Sequence, residues 1–181
     1  MTQEPNGVLI VNKHAGVTSH HIVGVVRRLY NTRRVGHAGT LDPMATGVLL
    51  VLIGRAAKAS EYLSHDAKHY RAILRLGLTT DTEDTTGAVL TTSDKIPPNE
   101  ELQAVLPRFR GEILQTPPMY SALKVGGQKL VDLARKGREV ERKPRPITIH
   151  QLELLEVGEN TLRLRVRCSK GTYIRTLCKD I

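Results

Sequence analysis

The sequence predicts an α+β fold in which a mixed, mostly antiparallel sheet is flanked by helices. Several short runs of β-branched and apolar residues are typical of strands, and helical apolar periodicity appears between some of them. Both tight turns and helices connect these strands, whereas a doubly wound sheet would alternate strand and helix throughout. No G-x-G-x-x-G or P-loop pattern occurs, so we expect no nucleotide cofactor.

Length and composition suit one globular domain, or one domain plus a small appendage, since the chain has 181 residues of which 40% are hydrophobic. No apolar run approaches the ~20 residues of a membrane-spanning helix. The first residues show no basic stretch leading into an apolar one, so we expect a cytoplasmic protein without a signal peptide. Cys168 and Cys178 form no C-x-x-C pair, which argues against a disulfide framework or a zinc site. Cys168 is expected in the core.

The charge of the chain favours a polyanionic partner. Lysine and arginine number 27 against 18 aspartates and glutamates, an excess typical of nucleic-acid-binding proteins. No acidic residue lies between Glu4 and Asp42, and a second basic cluster occupies residues 135–145. Basic runs are more often solvated faces than binding sites, so charge alone permits a nucleic-acid partner without requiring one.

The first third of the chain predicts two buried strands and two helices. Residues 7–12 form the first predicted strand, followed by a turn at 13–16. Ser19 is expected to cap a helix that runs to Leu29, with an apolar face of Ile22, Val25, Val26 and Leu29. His20 and His21 are adjacent and point in different directions, which disfavours a metal pair. Residues 48–53 predict a second buried strand, and residues 56–63 a short helix.

The middle of the chain predicts a half-buried strand, a turn and a short helix. From Lys68 onward apolar and polar residues alternate, which places Tyr70, Ala72, Leu74 and Leu76 on the inward face. The acidic stretch 79–87 predicts a turn and not a calcium loop, because Thr86 stands where such a loop needs glycine. The next helix starts around Asn99 and must kink or end at Pro107.

Residues 111–145 differ in composition from the segments on either side. They contain a Pro-Pro pair, a Gly-Gly pair, a helical patch at 130–134 ending at Gly137, and the second basic cluster. This composition predicts a flexible, basic, thumb-like excursion from the sheet that could close on RNA. Strands resume at Ile147 and at 162–168, with Arg163, Arg165 and Arg167 outward. Thr172 is expected to cap a final helix.

The stretch 36–49 places one carboxylate, Asp42, within a glycine-rich loop that precedes a strand. Glycines allow positive φ, and Pro43 disfavours the α conformation at Asp42, so the carboxylate would project from an extended segment. Such a carboxylate could act as a nucleophile or as an acid/base. Alternatively, Asp42 could cap a helix that begins at Pro43, although Gly47 would end that helix after one turn. Spacing alone favours this cap.

The same loop, GHAGTLDPMATG at 36–47, resembles the signature loop of the bacterial TruB-type tRNA pseudouridine synthases. Other blocks similar to that family follow in the same order. They are KHYR at 68–71, LG at 76–77 with TDT at 80–82, PMYSALK at 118–124 and SKGTYIR at 169–175. The resemblance covers practically the whole chain. His14 and Val131 depart from the family pattern, which usually has proline and tyrosine there.

The resemblance implies the pseudouridine-synthase catalytic fold and isomerisation of the T-loop uridine of tRNA, uridine 55, to pseudouridine. Asp42 would be the catalytic carboxylate, Arg175 its ion-pair partner and Tyr70 the ring that stacks on the target base. Such a reaction flips the base from its stack and needs no metal or redox cofactor. The residues implied or expected to bind the substrate are His37, Tyr173, Lys13, Arg138, Arg142 and Lys143, the last three from the second basic cluster.

The resemblance also sets expectations about partners and extent. The partner would be the T-arm of tRNA, recognised by its shape, without a membrane, without an obligate protein partner, and with the protein as a monomer. Residues 1–181 would form a catalytic domain that is incomplete at its C-terminus and lacks a C-terminal RNA-binding domain, with 111–145 as an RNA-contacting insertion. The last helix would then be frayed or poorly covered.

Three alternatives compete with this interpretation. A guide-RNA-dependent synthase of the dyskerin type shares the Asp loop, but such proteins carry large extensions. A non-catalytic RNA-binding or tRNA-folding domain would not depend on Asp42. A purely structural α+β domain leaves the ordered motif blocks unexplained.

Overall fold

The computed structural model describes residues 4–63 and 67–181. The chain divides into two compact units, Met1–Asp66 and Ala67–Ile181. Every strand pair in the described residues is antiparallel, and helices accompany strands in both units. The α+β class is thereby confirmed, while the description of 1–181 as one catalytic domain stays a prediction.

The first unit is a three-stranded sheet in the order β1-β3-β2 with one face covered by a helix. Its core forms where Val23 and Val26 of that helix pack with Leu49, Val51 and Ile53 of the central strand. A 3-10 turn, Gly54–Ala59, follows the last strand. The elements are β1 (Gly7–Lys13), α1 (Ser19–Leu29), β2 (Val35–Ala38), β3 (Gly47–Ile53) and α2 (Ser60–Leu63).

Three predictions for this unit are wrong in detail. Thr18 rather than Ser19 caps α1, because its Oγ1 accepts a 3.0 Å hydrogen bond from the His21 amide. Leu29 is 75% exposed, since the buried face of α1 runs through Ser19, Val23 and Val26. β1 is not buried on both faces: Ile10 is 76% exposed, because α1 covers only the opposite face.

The second unit is built on a four-stranded sheet in the order β4-β11-β10-β7, with two small hairpins, β5–β6 and β8–β9. A 3-10 turn, Leu106–Phe109, extends its first helix past Pro107. The strands are β4 (Lys68–Arg75), β5 (Leu78–Thr80), β6 (Val89–Thr92), β7 (Gly111–Gln115), β8 (Lys124–Val125), β9 (Gln128–Lys129), β10 (Arg145–Val157) and β11 (Thr161–Cys168); the helices are α3 (Asn99–Val105), α4 (Leu130–Ala134) and α5 (Ile174–Asp180).

The core of this unit lies on the inward face of β11. Leu162, Leu164, Val166 and Cys168 have no exposed surface, and the arginines between them point outward. Leu102 of α3 and Leu177 of α5 belong to the same cluster. The predicted alternation of β4 and β11 and the core position of Cys168 are confirmed. Burial also raises the pKa of the Cys178 thiol to about 11.

The excursion is shorter than predicted. Residues 111–115 form β7, which pairs with β10, so the segment outside the sheet spans 116–144. Within it, α4 buries Leu130 and Leu133. Gly137 ends the helical patch as predicted, with a positive φ of 67° and an amide that donates to the Ala134 carbonyl at 2.9 Å.

The final helix is packed, contrary to the prediction of a frayed one. Leu177 is 1% exposed, and Ile174, Cys178 and Ile181 pack against the core cluster. Thr172 does not cap α5; its hydroxyl donates to the Ser169 carbonyl at 2.9 Å instead. None of the helices in the described part of the chain is long and apolar enough to cross a membrane.

Candidate active site

The Asp42 loop joins β2 to β3 without forming a helix. The Asp42 carbonyl accepts a 3.1 Å hydrogen bond from the Ala45 amide, which closes one tight turn, and β3 begins at Gly47. Gly39 and Gly47 have φ values of 94° and 124°, so glycine is favoured at both ends of the loop that contains this turn. The helix-cap alternative for Asp42 is therefore wrong. The aspartate is half-buried.

Both neighbours of Asp42 are held by residues distant in sequence. Ser19 Oγ donates to the Leu41 carbonyl at 3.2 Å and accepts from the Leu41 amide at 3.0 Å. On the other side, the Pro43 carbonyl accepts from the Gly16 amide at 2.9 Å and from Lys13 Nζ at 3.2 Å. The backbone is thus fixed immediately before and after the carboxylate. Sequence reasoning missed Ser19, which it assigned to helix capping.

Lys13 is fully buried, with 0% exposure. Its ammonium donates to the carbonyls of His14 and Val17 at 2.9 Å each, in addition to Pro43. Because an ammonium has three protons, these three bonds engage all of its donors. Desolvation lowers the pKa of Lys13, and the negative charge of Asp42 opposes that shift. The geometry therefore makes Lys13 a residue that positions the Asp42 loop.

His37 lies on β2 at the start of this loop and is half-buried. Its Nδ1 is 2.6 Å from the Gly39 carbonyl oxygen. Since a carbonyl oxygen can only accept a hydrogen bond, Nδ1 must carry the proton in this contact. The imidazole is oriented by the same loop that carries Asp42.

Arg175, near the start of α5, is bound by two segments of the second unit. Nη1 donates to the Thr82 carbonyl at 2.7 Å and Nη2 to the Tyr120 carbonyl at 3.0 Å. Nε lies 3.8 Å from a carboxylate oxygen of Asp84, and both side chains are about nine-tenths buried. These contacts fix the guanidinium plane.

The acidic stretch 79–87, which the sequence predicted as a plain turn, is the segment that binds α5. Burial alone would raise the pKa of Asp84, but hydrogen bonds from Thr86 and Thr82 and the charge of Arg175 together lower it. Glu83 accepts from Thr176 Oγ1 at 2.5 Å and from Lys179 Nζ at 2.8 Å. The sequence did contain a signal for this contact, because the turn carries acidic residues and the helix carries basic ones.

Tyr70 and Tyr173 lie on the same unit as Arg175. Tyr70 is half-buried on the inward face of β4, opposite Val166, and packs against the core cluster. Tyr173 is half-buried, and its backbone is held at both ends by the buried amide of Gln115. Gln115 Oε1 accepts from the Tyr173 amide at 2.8 Å, and Nε2 donates to the Tyr173 carbonyl at 3.1 Å. Gln115 was not predicted.

The second basic cluster divides into exposed and structural members. Arg138 and Lys143 are exposed. The Arg142 side chain is only 19% exposed; Nη1 donates to the Pro117 carbonyl at 3.2 Å and Nη2 pairs with Glu139 at 2.8 Å. Arg142 therefore links the two ends of the excursion through its bond to Pro117.

The described contacts gather the predicted residues in two sets. Lys13, His37 and Asp42 share one loop region of the first unit, while Tyr70, Tyr173 and Arg175 belong to the second. The ion pair expected between Asp42 and Arg175 stays a prediction. In residues 4–63 and 67–181 no group of three or more histidine, cysteine, aspartate or glutamate side chains is placed to hold a metal ion.

Comparison with known proteins shows which family the chain resembles. Residues 27–174 match the family described as "TruB family pseudouridylate synthase (N terminal domain)". Two curated relatives, both named "tRNA pseudouridine synthase B", come from Francisella philomiragia and Syntrophotalea carbinolica. They are 49% and 52% identical to this chain over 97% of its length. The chain spans 59% and 58% of these relatives.

Two solved structures of complexes have a similar fold. One is titled "Crystal Structure of a Cbf5-Nop10-Gar1 Complex"; it matches with a TM-score of 0.70 and 29% identity, covering 95% of this chain and 42% of that one. Another is titled "Structure of H/ACA RNP bound to a substrate RNA containing 2'-deoxyuridine", with a TM-score of 0.67 and 26% identity, covering 95% of this chain and 40% of the other.

Proposed function

Because the chain belongs to the TruB family of pseudouridylate synthases, we propose that it isomerises the T-loop uridine of tRNA, uridine 55, to pseudouridine with Asp42 as the catalytic carboxylate. The observation that carries this proposal is the double anchoring of the Asp42 loop. Ser19 holds Leu41, and Lys13 with Gly16 holds Pro43. A reactive group is effective when its surroundings fix its position before the substrate arrives.

The reaction breaks the bond between ribose and the uracil nitrogen and rejoins the ring to the ribose through carbon. No atom is gained or lost: the proton displaced from that carbon leaves, and the freed nitrogen takes one up. An ionised Asp42 beside the nucleotide can initiate this by attack on the base, attack on the sugar, or proton abstraction. None of these steps requires a metal or a redox cofactor.

The second unit would supply the other catalytic residues. Arg175 would pair with Asp42 and keep the carboxylate ionised by offsetting its desolvation. Its guanidinium is already oriented by Thr82, Tyr120 and Asp84. Tyr70 would stack on the flipped uracil, whose extrusion costs a few kcal/mol that pocket contacts recover. His37 and Tyr173 would line the nucleotide pocket.

The substrate would be held mainly by its phosphates. Arg138 and Lys143, the exposed members of the second basic cluster, would contact the T-arm backbone from the excursion 116–144, with Arg142 bracing that segment. The protein would act as a monomer in the cytoplasm and without an obligate protein partner. We favour free tRNA over a guide-RNA assembly because the relatives named for tRNA are about 50% identical, against 26% for the structure titled as an H/ACA RNP.

The test is to incubate the protein alone with an unmodified tRNA transcript and to map pseudouridine along it. We expect a single modified position in the T-loop. A transcript with cytidine at that position is the matched control and should remain unmodified. Binding of both transcripts without any pseudouridine would favour a non-catalytic RNA-binding domain, and a requirement for added guide RNA would favour the dyskerin type.

A further inference from the structure

The outward face of the four-stranded sheet carries a concentration of arginines that the proposed reaction does not use. β4 contributes Arg71 and Arg75, and β11 contributes Arg163, Arg165 and Arg167; all five are exposed. Directly opposed residues of an antiparallel pair project from the same face. In the β4–β11 register Arg165 lies opposite Arg71, and Arg167 opposite His69. We refer to these five arginines as the arginine face.

The repulsion between opposed arginines lowers the stability of the β4–β11 pair when no anion is bound. Like charges directly opposite each other across two strands destabilise an antiparallel pair. A solvated face of a sheet usually interleaves both signs, as β10 and β11 do here: Arg163 pairs with Glu156 at 2.9 Å and Arg165 with Glu153 at 3.0 Å. Within residues 67–181, the arginines of β4 have no such ion pair.

The uncompensated charge lies on the edge strand β4 and at the end of the neighbouring strand β11. Among residues 67–181, no carboxylate lies within 4.0 Å of the guanidinium groups of Arg71, Arg75 or Arg167. The two glutamates that neutralise the face both stand on β10, on the far side of β11. Over β11 and β4 there is thus a positively charged strip with three arginines available to an external anion.

We infer that the arginine face binds the phosphate backbone of RNA, at a surface separate from the residues assigned to catalysis. Arginine pairs bidentately with phosphate, and an extended row of arginines matches a polyanion better than a small anion. The choice of RNA as the polyanion rests on the proposed function. The arginine face lies on the side of the sheet opposite the core and Tyr70, so the contact would add affinity without touching the target base.

The test uses the double substitution Arg71→Gln and Arg167→Gln in the full chain. Affinity for an unmodified tRNA transcript is measured from low to physiological salt. Each lost phosphate contact should reduce the log-log salt slope by about 0.9, so we expect a decrease of up to about 1.8 and weaker binding at low salt. The pseudouridine-forming rate at saturating tRNA should not change. Substitution of both residues by lysine should retain the slope.

The matched control is Lys95→Gln with Arg108→Gln, which removes the same charge. Arg108 belongs to the 3-10 turn beside α3, on the core side of the sheet. The inference is overturned if the arginine-face variant has the wild-type slope, or if the control lowers the slope equally. Unchanged or higher melting temperatures are expected, because removal of Arg71 relieves its opposition to Arg165.

The two proposals fail separately in this experiment. Absence of pseudouridine from every preparation, with a reduced slope in the arginine-face variant, would refute the proposed reaction and support the RNA-binding face. Normal pseudouridine formation with an unchanged slope would do the reverse.

Discussion

Lys13 Nζ donates a 3.2 Å hydrogen bond to the carbonyl of Pro43, the residue that follows Asp42, across 30 positions of sequence. This bond links the end of β1 to the candidate catalytic loop. Together with the Gly16 amide on the same carbonyl, it explains why a fully buried lysine stands in a small core. The lysine stabilises one conformation of the loop.

Replacing Lys13 by Met should therefore disturb the loop while keeping the side chain's length. The carbonyls of His14 and Val17 lose their donor, whereas the Pro43 carbonyl keeps the Gly16 amide. Each unsatisfied buried acceptor costs about 1–3 kcal/mol. We expect a loss of roughly 3 kcal/mol in the free energy of unfolding, measured by urea denaturation, and a fall in kcat at unchanged tRNA affinity. Lys95→Met, at an exposed loop position, is the control. Equal stability of the two variants would show that the Lys13 contacts contribute nothing.

Asp84 should make the stability of the second unit depend on pH. Because its pKa is lowered from 3.8 in the folded protein, its stabilising contribution is complete above the unfolded value and is lost as the pH falls through the lowered value. Asp84→Asn should thus differ from wild type by a constant amount above about pH 5. Below pH 3.8 the difference should shrink.

Urea denaturation from pH 6 down to pH 3 measures this difference. Asp94→Asn, on an exposed loop, is the control and should run parallel to wild type throughout. A gap between Asp84→Asn and wild type that stays constant down to pH 3 would refute the role given to the Asp84 charge.

The role of Tyr70 can be tested with one substitution that removes only the hydroxyl and another that also removes the ring. If the tyrosine works in the site, Tyr70→Phe should slow turnover without changing the melting temperature, and Tyr70→Leu should slow it further. If it only packs the core cluster, Phe should be silent in activity and Leu should mainly lower stability. Tyr62→Phe, whose residue is 80% exposed, controls for the loss of a hydroxyl. Wild-type rates and melting temperatures in Tyr70→Phe would exclude a functional hydroxyl.

Within the second basic cluster, some residues should affect tRNA binding and another should affect stability. Neutralising Arg138 and Lys143 should weaken tRNA binding and reduce the log-log salt slope by about 0.9 per lost phosphate contact, at an unchanged melting temperature. Arg142→Gln should lower the melting temperature, because the guanidinium is largely buried and holds the Pro117 carbonyl. A wild-type slope in the Arg138 and Lys143 variant would mean that these two cations are a solvated face.

Local patterns in the sequence predicted the elements whose environment is decided locally. The alternation in β11 was enough to assign its core residues and its outward arginines, because a strand's period of two separates the faces. The composition of the Asp42 loop, with glycines and a proline beside one carboxylate, likewise identified a candidate site, and resemblance gave it a chemistry.

Long-range contacts account for what the sequence did not predict. Ser19 bonds Leu41 across 22 positions, and Arg175 bonds Thr82 across 93. Ser19 has an ordinary local interpretation as a helix cap, and Thr82 as part of a turn. Only the fold decides which distant carbonyl or carboxylate meets it. For the same reason the apolar face of α1 was predicted only in part: Val26 is buried as expected, but Leu29 is exposed and Val23, which was not predicted, is buried.

The central claim is that Asp42 carries the reaction, and Asp42→Asn tests it most directly. The substitution removes the charge but keeps the size of the side chain, and phosphate contacts by lysine and arginine should dominate binding. The measurement is the yield of pseudouridine at the T-loop position after prolonged incubation with an unmodified tRNA transcript. We expect full conversion by the wild-type chain, none by Asp42→Asn, and tRNA affinities within a few-fold of each other. Pseudouridine formed by an Asp42→Asn preparation free of wild-type enzyme would contradict the account.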